Sequence, residues 1–196
     1  MVTQMNNTSD IITESIKAHI NNIKVKDRVI VAIDGRCASG KTTVGTMLAE
    51  LLCADIIHID DYYLPMSERC ENWKDIIAGN INILRLKSEV LANILKNKEY
   101  IYRAYSCFNG CYKEGVAVTP KSVTIIEGSY SLHPDLVKFY DLTVFMDVDS
   151  QTQLDRIKRR NGESKLSVFR NLWIPLEERY FSYYNIKENS DLYYKT

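Results

Sequence analysis

The chain has 196 residues, 45% of them hydrophobic and 26% charged, an ordinary globular composition for one domain able to bury its own core. Its 25 basic and 25 acidic side chains cancel to zero, which argues against a dedicated DNA- or RNA-binding protein. The longest purely apolar runs, such as Val29 to Ile33, are about five residues. A membrane span needs roughly 20, so no membrane partner is expected.

Met1 to Ser9 is polar and lacks the basic-then-apolar layout of a secretion signal. The five cysteines form no C-x-x-C pair, so reduced thiols in a cytoplasm are expected. Cys107 and Cys111 have no second ligand pair, so no structural zinc is expected.

The first few residues should fray. Ile12, Ile16, Ile20 and Ile23 recur at helical spacing and predict an amphipathic helix over Asp10 to Lys24. Val29 to Ile33 is short, apolar and rich in β-branched residues, which suits a central parallel strand. Thr43 to Leu52 carries Val44, Met47, Leu48, Leu51 and Leu52 as a helix stripe. Ile56 to Ile59 reads as a second strand. Residues 62–122 are less regular, with a helix around Asn82 to Asn97 and a tyrosine-rich stretch from Tyr100 to Tyr112. Tyr100, Tyr102 and Tyr105 alternate, so one strand could turn them to one face, against a base or into the core. Val123 to Ile126 and Leu142 to Met146 are two more buried strands. Gln151 to Arg160 and Ser167 to Tyr184 read as helices, and Leu192 to Tyr194 as a last strand. The alternation predicts a three-layer α/β/α fold around a central parallel five-stranded sheet. It forms a single domain over 1–196, with an N-terminal helix (1–24), an inserted substrate lobe (62–122) and a lid (150–170).

Gly35-Arg-Cys-Ala-Ser-Gly40-Lys41-Thr42 matches G-x-x-x-x-G-K-[ST], the phosphate-binding P-loop, between a buried strand and a striped helix. Glycines let the backbone approach phosphate oxygens, and the loop N–H groups with the helix N-terminus form an anion site. Gly35, Ala38, Ser39, Gly40, Lys41, Thr42 and Thr43 are the candidate nucleotide contacts. Lys41 would reach the β- and γ-phosphates of ATP or GTP, and the Thr42 hydroxyl would bind Mg²⁺. No N-K-x-D guanine motif is present, which argues against a GTPase.

Asp60 and Asp61 fall at the C-terminal end of the second strand, where ligands bind in parallel α/β sheets. A carboxylate there can accept the proton of an attacking hydroxyl, hold Mg²⁺, or cap a turn. Glu127 ends the third strand and is a second candidate metal-side acid, or a turn-facing glutamate. Arg156, Arg159 and Arg160 share one helix face. Six basic and two acidic residues between 150 and 170 make a local excess of four positive charges. Such a row can close over a transferring phosphate, or be a solvated basic face.

The order of P-loop, D-D-x-Y, E-G, D-x-D and arginine-rich helix resembles the uridine kinase and phosphoribulokinase family. Ile125-Ile-Glu-Gly-Ser-Tyr-Ser-Leu-His133-Pro134, Val144-Phe-Met-Asp-Val-Asp149, Arg156-Ile-Lys-Arg-Arg-Asn-Gly162 and Trp173-Ile-Pro-Leu-Glu-Glu-Arg-Tyr-Phe181 look like its bacterial uridine kinase-like branch, over about residues 28–195. The resemblance implies a nucleoside/nucleotide-kinase-like fold with an arginine lid, and γ-phosphoryl transfer from ATP–Mg²⁺ to a small alcohol. The implied acceptor is the 5′-hydroxyl of uridine, cytidine or a related nucleoside. It makes Asp60 the general base and Tyr63 an aromatic substrate contact. Glu127 becomes the metal-side carboxylate, Arg156 and Arg160 catalytic lid residues, and Arg159 a nucleotide contact. Tyr105 falls in the nucleoside-holding segment, and Arg103 beside it could meet substrate or a surface acid. Where the family has Tyr-Asp and then a histidine, this chain has Ser106 and Phe108. Asn82 stands where the family tends to have an acid for the ribose. A phosphosugar or vitamin-precursor kinase and a non-catalytic nucleotide-binding regulator therefore stay open, as does a homo-oligomer.

Overall fold

The computed structural model describes residues 8–23 and 27–196. The expectation of a frayed start, and the Lys24 end of the first helix, lie outside the described residues. In chain order the strands are β1 (Val29–Gly35), β2 (Asp55–His58), β3 (Tyr100–Tyr102), β4 (Tyr105–Ser106), β5 (Cys111–Tyr112), β6 (Val116–Val118), β7 (Val123–Glu127), β8 (Leu142–Asp147) and β9 (Leu192–Lys195). Five of them form one parallel sheet in the order β2-β7-β1-β8-β9.

Period-two alternation divides the core. Val29, Val31 and Ile33 pack with α1 (Thr8–Asn22) and α2 (Lys41–Leu52), through Ile12, Ile16, Val44 and Leu48. Ile30 and Ala32 face the other way, onto Leu86, Leu91, Tyr180 and Phe181 of two helices spanning 83–94 and 163–184. The sheet is thus buried on both faces, which is why β1 reads as an unbroken apolar run. Among the described residues no helix is long and apolar enough to cross a membrane.

Departures from the sequence reading are local. The helix 83–94 contains a π-helical turn, Leu86–Leu91, and 163–184 contains another, Phe169–Trp173. Such turns re-aim the side chains they carry. The last long helix starts at Glu163, not near Ser167, because Gly162, at φ 81°, ends the preceding helix there. Tyr100, Tyr102 and Tyr105 do not share one strand. The chain breaks after Tyr102, so β3 pairs with β6 while β4 turns back on β5. Tyr102 then meets Tyr62, whereas Tyr105 meets Tyr112.

Candidate active site

The carboxyl ends of β1, β2 and β7 open onto a cleft of about 600 Å³. Gly35 ends β1 at φ 134°, and a Cβ there would lie 1.9 Å from the Met146 carbonyl oxygen of β8. Only glycine lets the two strands stay that close while the chain turns into the loop. Gly40, at φ 95°, is the N-cap of α2. Lys41 is buried and donates to the carbonyls of Gly35 (2.6 Å) and Arg36 (2.8 Å), folded back along the loop it would leave to meet phosphate.

The 163–184 helix anchors this loop. Glu178 pairs with Arg36 at 2.8 Å. Buried Glu177 accepts the Cys37 N–H at 3.0 Å and the Ser129 hydroxyl at 2.5 Å. Burial raises the Glu177 pKa, with the charge of Lys41 pulling the other way. Glu177→Gln can keep both bonds, its carbonyl on the Cys37 N–H and its amide on the Ser129 oxygen. It should hold stability within about 1 kcal/mol, whereas Glu177→Ala, which orphans the Cys37 N–H, should cost about 1–3 kcal/mol in urea unfolding.

Opposite the loop stand the acids. Glu127 ends β7, buried, and its two carboxylate oxygens lie 3.3 and 3.2 Å from the Thr42 hydroxyl, which donates to them. His58, the last residue of β2, places Nδ1 2.5 Å from Glu127 Oε1. That hydrogen bond to Glu127 raises the His58 pKa. Asp60 sits in the 3₁₀ turn Ile59–Tyr62 that follows β2 directly. Its carboxylate faces the cleft, yet the protein around it excludes enough water to raise its pKa, and the nearby Glu127 charge adds to the rise. Asp61 accepts the Tyr102 hydroxyl instead. Thr42, Glu127 and Asp60 are oxygen donors converging on one cleft, a donor set suited to a hard divalent cation such as Mg²⁺.

The helix Ser150–Asn161 lays its basic row along the rim. Asp149 caps its start by accepting the Thr152 N–H at 2.9 Å. Arg156 donates to the Ala38 carbonyl at 3.1 Å, and the Arg160 guanidinium lies 5.9 Å above the Phe169 ring.

Ala38, Ser39, Gly40, Lys41, Thr42 and Thr43 all line the cleft. So do Asp60, Tyr63, Glu127 and the three arginines. Gly35 lies at the base of the loop, behind that lining. Arg103 and Tyr105 do not line it. Arg103 pairs with Glu89 at 3.3 Å and lies over Tyr112, and Tyr105 is buried edge-on to Tyr112. Both turn toward Tyr112 instead, beyond the break before β4.

Sequence reasoning gave no role to Glu177, Trp173 or His58. Trp173 and Glu177 both line the cleft from the 163–184 helix. Their signal was available: a carboxylate one turn after a tryptophan, on the side of the helix that carries buried Tyr180 and Phe181. His58 was legible only through the register that sets it opposite Glu127.

No family model matches the chain. A uridine kinase of Staphylococcus epidermidis is 27% identical over 170 residues, covering 77% of this chain and 80% of that protein. A uridine kinase of Shewanella pealeana is 33% identical over 138 residues, 62% of this chain and 64% of that one. The structure of a possible uridine kinase from Bacillus stearothermophilus superposes with a TM-score of 0.71 at 18% identity, over 95% and 97% of the two chains. That of D-glycerate 3-kinase from Cryptococcus neoformans superposes at 0.55 and 16% identity, over 87% and 86%. At those identities the two structures speak to the fold alone.

With a P-loop opening onto strand-end acids on this sheet, the similarity to curated uridine kinases makes the chain a P-loop kinase, an ATP-dependent phosphotransferase. Within that class the chain is uridine kinase-like.

Proposed function

We propose that the chain transfers the γ-phosphoryl group of ATP to the 5′-hydroxyl of a pyrimidine nucleoside or a close relative. The observation that carries this reading is that Asp60 and Lys41 line one cleft, so an acceptor hydroxyl and a terminal phosphate can meet between them. Lys41 exchanges its loop carbonyls for β- and γ-phosphate oxygens. Asp60 accepts the proton of the attacking hydroxyl. Arg156, Arg159 and Arg160 stabilise the transferring group and exclude water, so catalysis is mainly positioning and electrostatics. Thr42 and Glu127 would hold Mg²⁺, with Asp60 reaching it only through water, and the ion when bound offsets phosphate charge. Residues 62–122 serve as the substrate lobe and 150–170 as the lid. The five free thiols fit a reducing cytoplasm.

Tyr63 and Trp173 form the aromatic wall beside Asp60, with ring centroids 6.4 Å apart and Trp73 a further 6.1 Å behind Trp173. Trp173→Ala should raise the acceptor KM by about three- to tenfold, the scale of one aromatic stacking contact, while the ATP KM stays within about twofold. Steady-state kinetics with each substrate varied in turn measures the split.

A second reading has one specific support. Ser106 and Phe108 replace the charged and imidazole groups of the nucleoside-holding segment, and Phe108 is 98% exposed. That hairpin tip supplies no charged acceptor, which fits another small alcohol. The deciding experiment is ATP-coupled ADP release over a panel of nucleosides, phosphosugars and vitamin-precursor alcohols. Turnover with uridine or cytidine supports the first reading. Turnover with a non-nucleoside alone establishes the second, and tight ATP binding with no acceptor turned over points to a regulator.

A further inference from the structure

We propose that His58 is a positioning residue that fixes the Glu127 carboxylate to receive the divalent cation accompanying the nucleotide. The inference rests on the reading of Glu127 as the cation-side acid. It begins with register. In the parallel pairing of β2, β7 and β1, His58 lies opposite Glu127, and Glu127 opposite Ile33. Residues opposite one another in a sheet share a face, and Ile33 belongs to the face packed by α2. All three side chains therefore point at the helix that carries Thr42.

The sheet alone does not settle where the Glu127 carboxylate goes, because its three side-chain torsions leave several rotamers open. Three neighbours narrow them. Gly45 of α2 is one: a Cβ there would stand 3.4 Å from Glu127 Cγ and 3.5 Å from its Cβ, ordinary contact distances, so the Glu127 stem runs directly against α2. The Thr42 hydroxyl is shared between both carboxylate oxygens, at 3.3 and 3.2 Å, and so leaves the rotation of the head group open. His58 is different. Its Nδ1 meets Oε1 alone, at 2.5 Å, and a carboxylate can only accept, so Nδ1 is the donor. Oε1 is thereby committed to the imidazole, while Oε2 keeps only the hydroxyl of Thr42, a residue that lines the cleft. The imidazole is half-exposed, but the carboxylate it orients is buried and cannot be reoriented by bulk water.

Outer-shell groups of this kind are worth about 10- to 100-fold in metal affinity. The test measures cation binding directly, by titrating Mn²⁺ and following its electron paramagnetic resonance signal, with a non-hydrolysable ATP analogue present. His58→Ala should weaken Mn²⁺ binding by about tenfold or more. His58→Asn, whose amide nitrogen reaches the Nδ1 position, should return it to within about threefold of the natural chain. Affinity for the analogue with no divalent cation present should match in all three proteins, which a general structural defect would not allow. If His58→Ala does not fold, His58→Gln takes its place, because its amide reaches beyond the Nδ1 position and should show the same loss. Unchanged Mn²⁺ affinity in the Ala or Gln variant overturns the role of His58. Glu127→Gln separates the two levels: if it also binds Mn²⁺ as the natural chain does, Glu127 is not the cation-side acid and the underlying reading fails. If Glu127→Gln is weakened while the His58 variants are not, only the positioning role is lost.

Discussion

Asp60→Asn is expected to lower turnover by about 10²- to 10⁴-fold, the range for removing a general base, while nucleotide affinity stays within about twofold. The substitution keeps the size and shape of the side chain, so the 3₁₀ turn Ile59–Tyr62 that carries it should be undisturbed. What changes is the ability to take a proton, because an amide is no base at neutral pH. Nucleotide affinity should be spared because the phosphates are gathered on the other side of the cleft. Lys41, the loop N–H groups and the arginine row remain there. Single-turnover kinetics, with ATP affinity from separate calorimetry, resolves the two quantities. A variant that turns over as fast as the natural chain removes Asp60 from the proton transfer. A variant that loses ATP binding in proportion to turnover assigns it to holding the nucleotide. Asp61 is the internal control. Its carboxylate accepts from Tyr102, so Asp61→Asn should lower turnover far less.

The sheet was legible from residues because each buried strand announces itself as a short β-branched run. Val29 to Ile33, Val123 to Ile126 and Leu142 to Met146 all lie in the observed strands. The P-loop was legible for a different reason: phosphate binding needs glycines at fixed offsets, and Gly35 with its missing Cβ shows why. Asp60 and Glu127 followed from the strands, since strand ends are the edge where ligands collect. What stayed hidden depended on long-range register. Nothing local to Ile57-His-Ile-Asp60 says that His58 will stand opposite Glu127, 69 positions away. The helix face that carries Glu177 was legible, but its partners Cys37 and Ser129 were not, because they come from two other strand ends. The tyrosine stretch failed through period. Tyr100 and Tyr102 are two apart and can share a strand face, but Tyr105, three further on, would fall on the opposite face of a continuous strand, and the chain in fact leaves β3 after Tyr102 and reverses at the β4–β5 hairpin.

The largest stability effect should come from Asp34, one residue before the loop. It is fully buried and faces the opposite side of the sheet from Glu127. Oδ1 accepts the Gly35 N–H at 2.6 Å. Oδ2 accepts the Leu132 N–H and the Tyr180 hydroxyl, both at 2.8 Å. One carboxylate thus ties β1 to the segment after β7 and to the 163–184 helix. Asp34→Asn can serve Oδ2 with its carbonyl, but its amide then points at the Gly35 N–H, donor against donor, at an expected cost of about 1–3 kcal/mol. Asp34→Ala leaves all three donors without a partner and should cost on the order of 3 kcal/mol or more, a large share of a typical domain's 5–15 kcal/mol. Urea unfolding of the three proteins gives both values, and equal costs for the two variants would remove the Oδ2 bonds from the account. Burial also pushes the Asp34 pKa up to about 6 from an ordinary 3.8, against the opposing pull of the Leu132 N–H and Lys41. Between those two values the native chain keeps a proton that the unfolded chain has released. The stability linked to that proton is therefore complete below about pH 4 and is lost as pH rises through about 6. Asp34→Asn has no such proton. The stability of the natural chain relative to Asp34→Asn should thus be greater at pH 4.5 than at pH 7.5, by on the order of 2 kcal/mol. A difference independent of pH would mean that Asp34 stays ionised across that range, held by its three donors.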